Sequence, residues 1–355
     1  MLFSLTLAQA AAPPEDIVLE EDEREVAPDS RKKSTDLVRA TKAFAQEDRA
    51  KSWRLLIQTL IILGVFAAGA LFSPWKSVQL LCGIGFGLVQ IRVFIFYHDY
   101  LHGAIFRKSK VASVIMSGIG FYQLSVRSVW SETHDYHHRN NAKLFGSSIG
   151  SFPLVTKTLW RRMTPKQRYL YRAVRHPLMV FGGYFTVFLI GMAISPFRRD
   201  PKNHWGGPVA LLIHFGLFGG LWALTDLWTA LCVIVIPHIV ALGLGSFLFF
   251  AQHNFPDCKL RDRAHWDYTF AALNSSSMFD MPPLMHWLTG NIGYHHVHHL
   301  NHRIPFYRLP EAMAAMPELQ SPGRVSWRPS DIARVFRLGV WDPEQDRMVT
   351  YAEAG

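Results

Sequence analysis

The chain has 355 residues but only three cysteines, Cys82, Cys232 and Cys258, and no C-x-x-C spacing. That excludes a rubredoxin-like or zinc-ribbon module and any disulfide framework. Cys82 and Cys232 lie in apolar runs, where an inert packing role is expected. There is no internal repeat and no low-complexity tract. Gly83-Ile84-Gly85-Phe86-Gly87 has the glycines of a nucleotide loop, yet it sits inside an apolar run with no strand before it, so it is not a dinucleotide fingerprint. No haem, flavin or ferredoxin motif is fused to the chain. The first ten residues resemble a signal peptide only faintly, because the basic start is missing and the apolar stretch is short; cleavage is not expected.

Charge is scarce, at 18% of residues against 49% hydrophobic, and polar ends flank strongly apolar runs. This is the composition of a membrane protein. A spanning helix needs roughly 20 predominantly apolar residues. Stretches near that length occur at about 54 to 73, 77 to 97, 208 to 225 and 229 to 251. Two shorter runs lie near 111 to 124 and 178 to 195.

The net charge of +10 comes from basic residues clustered near the ends of apolar segments. Such clusters fit anionic headgroups and orient the spans, so no nucleic acid is needed as a partner and none is expected. The stretch 139 to 177 carries Lys143, Lys157, Arg161, Arg162, Lys166, Arg168, Arg172 and Arg175, which assigns it to the cytoplasmic side. If histidine groups near 98, 134, 253 and 295 share one site, an even number of crossings separates each from the next. The shorter runs are therefore expected to be in-plane or re-entrant, covered by protein so that their backbone groups are satisfied. The expectation is an all-α membrane protein with four transmembrane helices, re-entrant or in-plane helices, and a cytoplasmic helical cap carrying the histidines. One membrane domain is expected over 51–315, with a mobile N-terminal tail over 1–50 and a C-terminal cytoplasmic tail over 316–355.

Nine of the 17 histidines form a pattern. His98 and His102 close the second run; His134, His137 and His138 form one H-x-x-H-H group; His295, His298 and His299 form another; His253 ends the fourth run. Helical positions i, i+3 and i+4 share a face, so each group can act as one unit. At this histidine content about 0.04 copies of H-x-x-H-H are expected by chance, and two are present. Neutral imidazole suits Fe, Zn, Cu and Ni. Nine ligands exceed one coordination sphere, so the count argues for two metals. Asp99, Asp135 and Asn291 are placed to accept or orient the outer ring nitrogens, although each also reads as a cap or a solvated polar group.

The other histidines carry weaker signals. His176, His204, His265, His286 and His302 read as solvated or hydrogen-bonded residues of loops and interfaces. His214 and His238 lie inside apolar runs, where a functional role is worth testing, but neither has a histidine neighbour at helical spacing and packing is preferred. His296 faces away from its triplet and is assigned to the shell behind it. Trp130 can line an apolar cavity; a lone tryptophan more often anchors at the interface.

The three groups, in order, resemble the histidine boxes of the membrane fatty acid desaturases, H-D-x-x-H, H-x-x-H-H and H-x-x-H-H. The passage Gly290 to Leu300, continuing into Arg303-Ile304-Pro305-Phe306-Tyr307-Arg308-Leu309, is similar to bacterial acyl-lipid desaturases of the delta-12 and delta-5 kind. Gln252-His253, His265-Trp266-Asp267-Tyr268 and Ala271-Ala272-Leu273 match that branch too. Tyr100-Leu101 inside the first box and Arg139 to Lys143 after the second depart from its usual residues, which bears on acyl length and double-bond position. The resemblance covers roughly 40 to 315. It implies iron ligation by His98, His102, His134, His137, His138, His253, His295, His298 and His299. It also implies O2 as co-substrate, an acyl-lipid substrate among membrane lipids, and an external electron donor such as ferredoxin, suited to the basic face. The setting implied is a bacterial inner membrane, with both termini and the metal site cytoplasmic. Two competing readings are a carotenoid or alkane hydroxylase or ketolase on the same scaffold, and a membrane metal transporter. Transport sites usually lie at mid-membrane on broken helices, whereas these ligands fall at the ends of runs.

Overall fold

The first span begins where Asp48 offers its carboxylate to the Lys51 amide, and it runs from Arg49 to Phe72. Its start precedes the apolar run because the cap, not hydrophobicity, sets the first turn. It stops at Ser73, which is extended as the residue before Pro74 must be. Twenty-four residues rise about 36 Å, enough for a hydrocarbon core of roughly 30 Å. The computed structural model describes residues 28–144 and 151–355. Of the expected mobile tail, residues 1–27 lie outside that set.

Among the described residues, four helices are long and apolar enough to cross a membrane: Arg49–Phe72, Lys76–Leu101, Gly206–Leu224 and Leu227–Gln252. The second and fourth are the inner pair; the first and third present most of their side chains outward. Ile61, Val65, Leu212 and Leu224 are exposed on those outer helices, a liability in water that lipid removes. The second span reaches four residues beyond its apolar run, so His98 rides on its last turn and His102 caps it. Close approach seats the spans: a Cβ on Gly83 would stand 2.5 Å from the Cys232 carbonyl of the fourth span, and one on Gly69 of the first as close to the Cys82 thiol of the second. Both cysteines are therefore contact surface, as their apolar setting suggested.

The shorter runs are not among the four. Lys110–Tyr122 is a 13-residue helix capped by Ser109, too short for a bilayer. The run 178 to 195 is broken at Gly182-Gly183 into Pro177–Phe181 and a π-helical stretch, Tyr184–Ile194. A second π stretch, Leu231–Val235, stands just ahead of Pro237, whose missing N–H and ring clash disfavour an α turn there.

Beyond the fourth span the chain builds a cap of short pieces, with helices Tyr268–Asn274, Pro283–Leu288, His295–Leu300 and Leu309–Ala315. Met278–Asp280 pairs in parallel with Arg324–Ser326. The flanks expected as tails depart from that expectation. Leu338–Asp342 is wholly buried, parallel to Val155–Thr156 and antiparallel to Arg347–Thr350, because Val340, Trp341, Met348 and Val349 can be taken out of water only by pairing there. Asp342 receives Lys157 at 2.7 Å, and Arg261 holds Asp346 with two nitrogens at 2.7 and 3.1 Å. At the other end, Pro28–Ala40 is helical, Ser34 bonds Asp267 and Thr269, and Asn301 donates to Thr41 at 2.8 Å. Both flanks close over the histidine-bearing cap.

Candidate metal centre

Four separate pieces of chain supply the histidines: the last turn of the second span, the helix Arg127–Asn140, the residue capping the fourth span, and the helix His295–Leu300. In the second helix the i, i+3, i+4 spacing turns His134, His137 and His138 inward. Folding sorts the nine into two adjacent sets, one of His98, His102, His134, His138 and His298, the other of His137, His253, His295 and His299. In each set the ligating nitrogens lie within 4.8 Å of one another. Each H-x-x-H-H group is thus divided, giving His137 to one set and its neighbours to the other. The sets touch where the His138 and His299 rings stack at 4.3 Å.

Spacing of the Nε2 atoms shows what these sets can do. His134 Nε2 stands 3.2 Å from that of His98 and 3.1 Å from that of His138, which is itself 3.1 Å from that of His298. His137 Nε2 is 3.1 Å from that of His253 and 3.3 Å from that of His299, and His295 Nε2 is 2.9 Å from that of His253. A neutral imidazole carries one N–H, so nitrogens each shared among several others cannot all be hydrogen-bonded. Nitrogens bound at right angles to one metal at about 2.1 Å lie about 3.0 Å apart. His102 Nε2 is buried with no protein partner. Both observations fit two metal ions.

The electrostatics agree. Burial first, and then the neighbouring histidines, hold His102, His134, His138, His295, His298 and His299 well below the ordinary imidazole range. His137 follows them, with burial first and then His253 as the cause. Burial alone pushes His253 down to about 4. These eight rings are neutral at neutral pH, which is the form that binds metal.

Outer partners are few. His98 Nδ1 donates to Asp99 Oδ1 at 3.0 Å, and Asp99 Oδ2 accepts the Phe306 amide at 2.7 Å. This buried carboxylate ties the first box to the chain following the third. His253 Nδ1 donates to the Ser275 carbonyl at 2.9 Å, a contact with no sequence signal because a backbone oxygen makes it. Asp135 and Asn291 do not take the places expected of them. Asp135 points out of its helix and is exposed, since one residue past His134 is a quarter-turn off the inward face. Asn291 has φ +55° and gives its amide to the Phe306 carbonyl at 3.1 Å, so it shapes the loop before the third box without reaching a ring.

Three neighbours were undervalued by sequence. Trp130 is no interfacial anchor: it is buried, with its ring 4.3 Å from His134 and 5.1 Å from His102. It precedes His134 by four residues, a spacing that puts it on the ligand face. Phe249, 5.0 Å from His137, stands likewise one turn before His253. His302, read as a loop residue, lies 4.7 Å from His102 and 5.2 Å from His138. His296 gives Nε2–H to the Leu319 carbonyl at 3.1 Å and leaves the centre, as its helical phase requires.

The remaining histidines stand apart from both sets. His214 Nε2 is hydrogen-bonded to the Tyr184 hydroxyl at 2.7 Å, and His238 faces the Ile234 and Tyr122 carbonyls at 2.6 and 2.8 Å. His204 meets Glu132 at 3.2 Å, His265 meets Asp262 at 2.8 Å, His176 caps the Leu178 amide, and His286 lies beside Tyr294.

The model of the family "Fatty acid desaturase" matches residues 74–330, a stretch that includes every one of the nine histidines. The chain belongs to the fatty acid desaturase family. It is 27% identical over 330 residues to "Fatty acid desaturase" of Bacillus subtilis (strain 168), with 90% of this chain and 91% of that protein covered. It is 21% identical to "sn-1 acyl-lipid omega-3 desaturase (ferredoxin)" of Nostoc sp. (strain 36), over 76% of each. A third relative, "Delta(12) acyl-lipid conjugase (11E,13E-forming)" of Impatiens balsamina, is 24% identical over 64% of this chain and 62% of its own length. The protein is accordingly an integral-membrane fatty acid desaturase, an oxidoreductase, whose two histidine sets fit a di-iron site.

Proposed function

We propose that this desaturase holds two iron ions, one in each histidine set, and acts on acyl chains of membrane lipids with O2 as co-substrate and an external donor such as ferredoxin. The observation that carries the reading is the convergence of nine imidazoles from four segments into two touching sets at the ends of two spans. His98, His102, His134, His138 and His298 hold one ion, and His137, His253, His295 and His299 the other. When bound, the iron pair supplies the redox chemistry by which O2, two electrons, two protons and two vicinal acyl hydrogens become two waters and a carbon–carbon double bond. The protein supplies position, dryness and ligand field. Asp99 fixes the His98 tautomer and ring plane, and the Ser275 carbonyl does the same for His253. Trp130 and Phe249 wall the rings with apolar surface, which excludes water.

The acyl-lipid substrate and the ferredoxin-type donor are supported by the name of the Nostoc relative and by the basic residues of 139 to 177, which suit an acidic donor. Those charges also support a cytoplasmic centre, with both termini on that side of a bacterial inner membrane. On this reading residues 51–315 form the desaturase domain and the flanks cover it. The test is fatty-acid methyl-ester profiling after expression in a host lacking polyunsaturates, with iron content measured on the purified protein. New double bonds and about two irons per chain are expected. Hydroxyl or keto products without new double bonds would reject desaturation.

A further inference from the structure

Arg92 lies in the second span, is 4% exposed, and has no carboxylate within ion-pair reach among the described residues. A buried cation without a counter-charge is costly, more so in a bilayer. Its Nε donates to Thr59 Oγ1 at 3.1 Å and its Nη1 to the Trp287 carbonyl, so two of its five N–H groups are used and Nη2 has no protein acceptor among the described residues. The flat guanidinium is held between aromatic faces, 4.6 Å from the Trp287 ring and 5.1 Å from that of Phe306. This is a fixed fork with one free prong, and it lines a cavity of about 430 Å³.

The second cation of that cavity is Lys51, on the first turn of the first span, with Nζ 4.8 Å from the Tyr307 ring and no carboxylate within ion-pair distance among the described residues. Leu55 and Pro283 form an apolar wall, while Tyr294 and Asn291 add polar lining. Lys51 stands at the start of the first span, whereas Arg92 sits deeper, within the second, and both line the same cavity. Leu284, the neighbour of Pro283, is exposed, so the cavity's outer rim continues into exposed apolar surface. Two unpaired cations, aromatic walls and an apolar exit fit one ligand class: a phosphodiester carrying acyl chains.

We propose that this cavity binds the headgroup of a membrane glycerophospholipid, its phosphodiester taken by Arg92 Nη2 and Lys51 Nζ and its chains leaving past Leu55 and Pro283 into the bilayer. The site lies behind the metal centre, since Phe306, which backs the Arg92 guanidinium, donates its amide to Asp99, the partner of His98. The proposal concerns binding alone, so it stands or falls independently of the reaction proposed above.

The test uses the purified full-length protein in neutral detergent and a spin-labelled phosphatidylglycerol, with the spin-labelled diacylglycerol of the same chains as the uncharged counterpart. Phosphatidylglycerol is expected to bind at least about tenfold more tightly than the diacylglycerol, because a charge-assisted hydrogen bond is worth more than that factor. Arg92→Gln should erase the preference. Lys51→Gln, on a residue outside the buried core, should reduce it about threefold, which keeps the test decisive should Arg92→Gln fail to fold. Inorganic phosphate at millimolar concentration should leave the lipid bound. Equal affinity for the two lipids, an unchanged preference in Lys51→Gln, or displacement by inorganic phosphate alone would overturn the proposal; the last would assign a simple anion site.

Discussion

Two groups of buried histidines occur in this chain, and they answer the same accounting question in opposite ways. In the pair His214 and His238, the ring nitrogens meet oxygen atoms of other groups: the Tyr184 hydroxyl for one, and for the other the Ile234 and Tyr122 carbonyls, to one of which a neutral ring donates. At the end of the inner spans, the Nε2 atoms meet one another at 2.9 to 3.3 Å, and His102 Nε2 meets nothing. Buried polar groups in folded proteins have partners. Nε2 atoms whose only partners are other imidazoles are therefore built for something the polypeptide does not contain. Intramembrane position alone, which draws attention to His214 and His238, does not discriminate; the destination of each ring nitrogen does.

The contrast can be broken or sharpened by mutation. The largest effect is expected for His137→Ala and His298→Ala, one from each set: desaturation should fall by more than about a hundredfold, beyond what a lost outer partner costs, while the protein stays inserted and iron content drops. Near-normal product in either variant would remove that residue from its set. Next comes Asp99→Asn, which keeps shape but loses the charge facing His98 Nδ1. Metal affinity should fall about tenfold to a hundredfold, read by competition with a chelator. A smaller effect, and one that should leave metal content alone, is expected for His214→Phe. It strands the Tyr184 hydroxyl and should cost about 1 to 3 kcal/mol of stability, seen as a lower Tm with unchanged iron. Loss of iron in that variant would erase the distinction between the two groups.

Acid provides a gentler probe of the same difference. His102, His134, His137, His138, His253, His295, His298 and His299 have folded pKa values lowered by burial, that of His253 to about 4, against about 6.5 in an unfolded chain. Below pH 6.5 the unfolded chain takes up protons that the folded one refuses, so stability rises with pH in that range and falls as acid is added. Metal-free protein should show a constant Tm above about pH 7 and a falling one from about 6.5 toward 4. Metal binding needs the same neutral rings, so iron should be released over that window as well. A Tm independent of pH between 7 and 5 would contradict the burial of these rings.

Much of this was legible from residues alone. The four spans follow from runs of apolar residues whose length matches a bilayer, and helical phase separates His296 from His295, His298 and His299 without coordinates. What escaped the sequence escaped for identifiable reasons. Trp130 and Phe249 lie one helical turn before ligands, but aromatic residues are common enough in membrane helices that spacing alone did not separate a cavity wall from an anchor. His302 follows the end of its helix, where no periodicity says which way a side chain points. Asp135 and Asn291 stand close to ligands in sequence, but chain direction takes both away from the rings. The flank 316–355 looked like a tail because its strands are short and its partner, Val155–Thr156, is more than 180 residues distant.

By itself, then, the sequence determined the solvent and the metal-binding capacity. Burial in lipid demands long apolar runs, and imidazoles at i, i+3, i+4 must share a face; both are local properties of a chain. Only the tertiary structure decided which histidine joins which set, since each H-x-x-H-H group is divided between the two. It alone brought the Ser275 carbonyl to His253 and placed an unpaired Arg92 behind His98. Those outcomes depend on where four helix ends meet in space, and no local pattern encodes a meeting between segments separated by hundreds of residues.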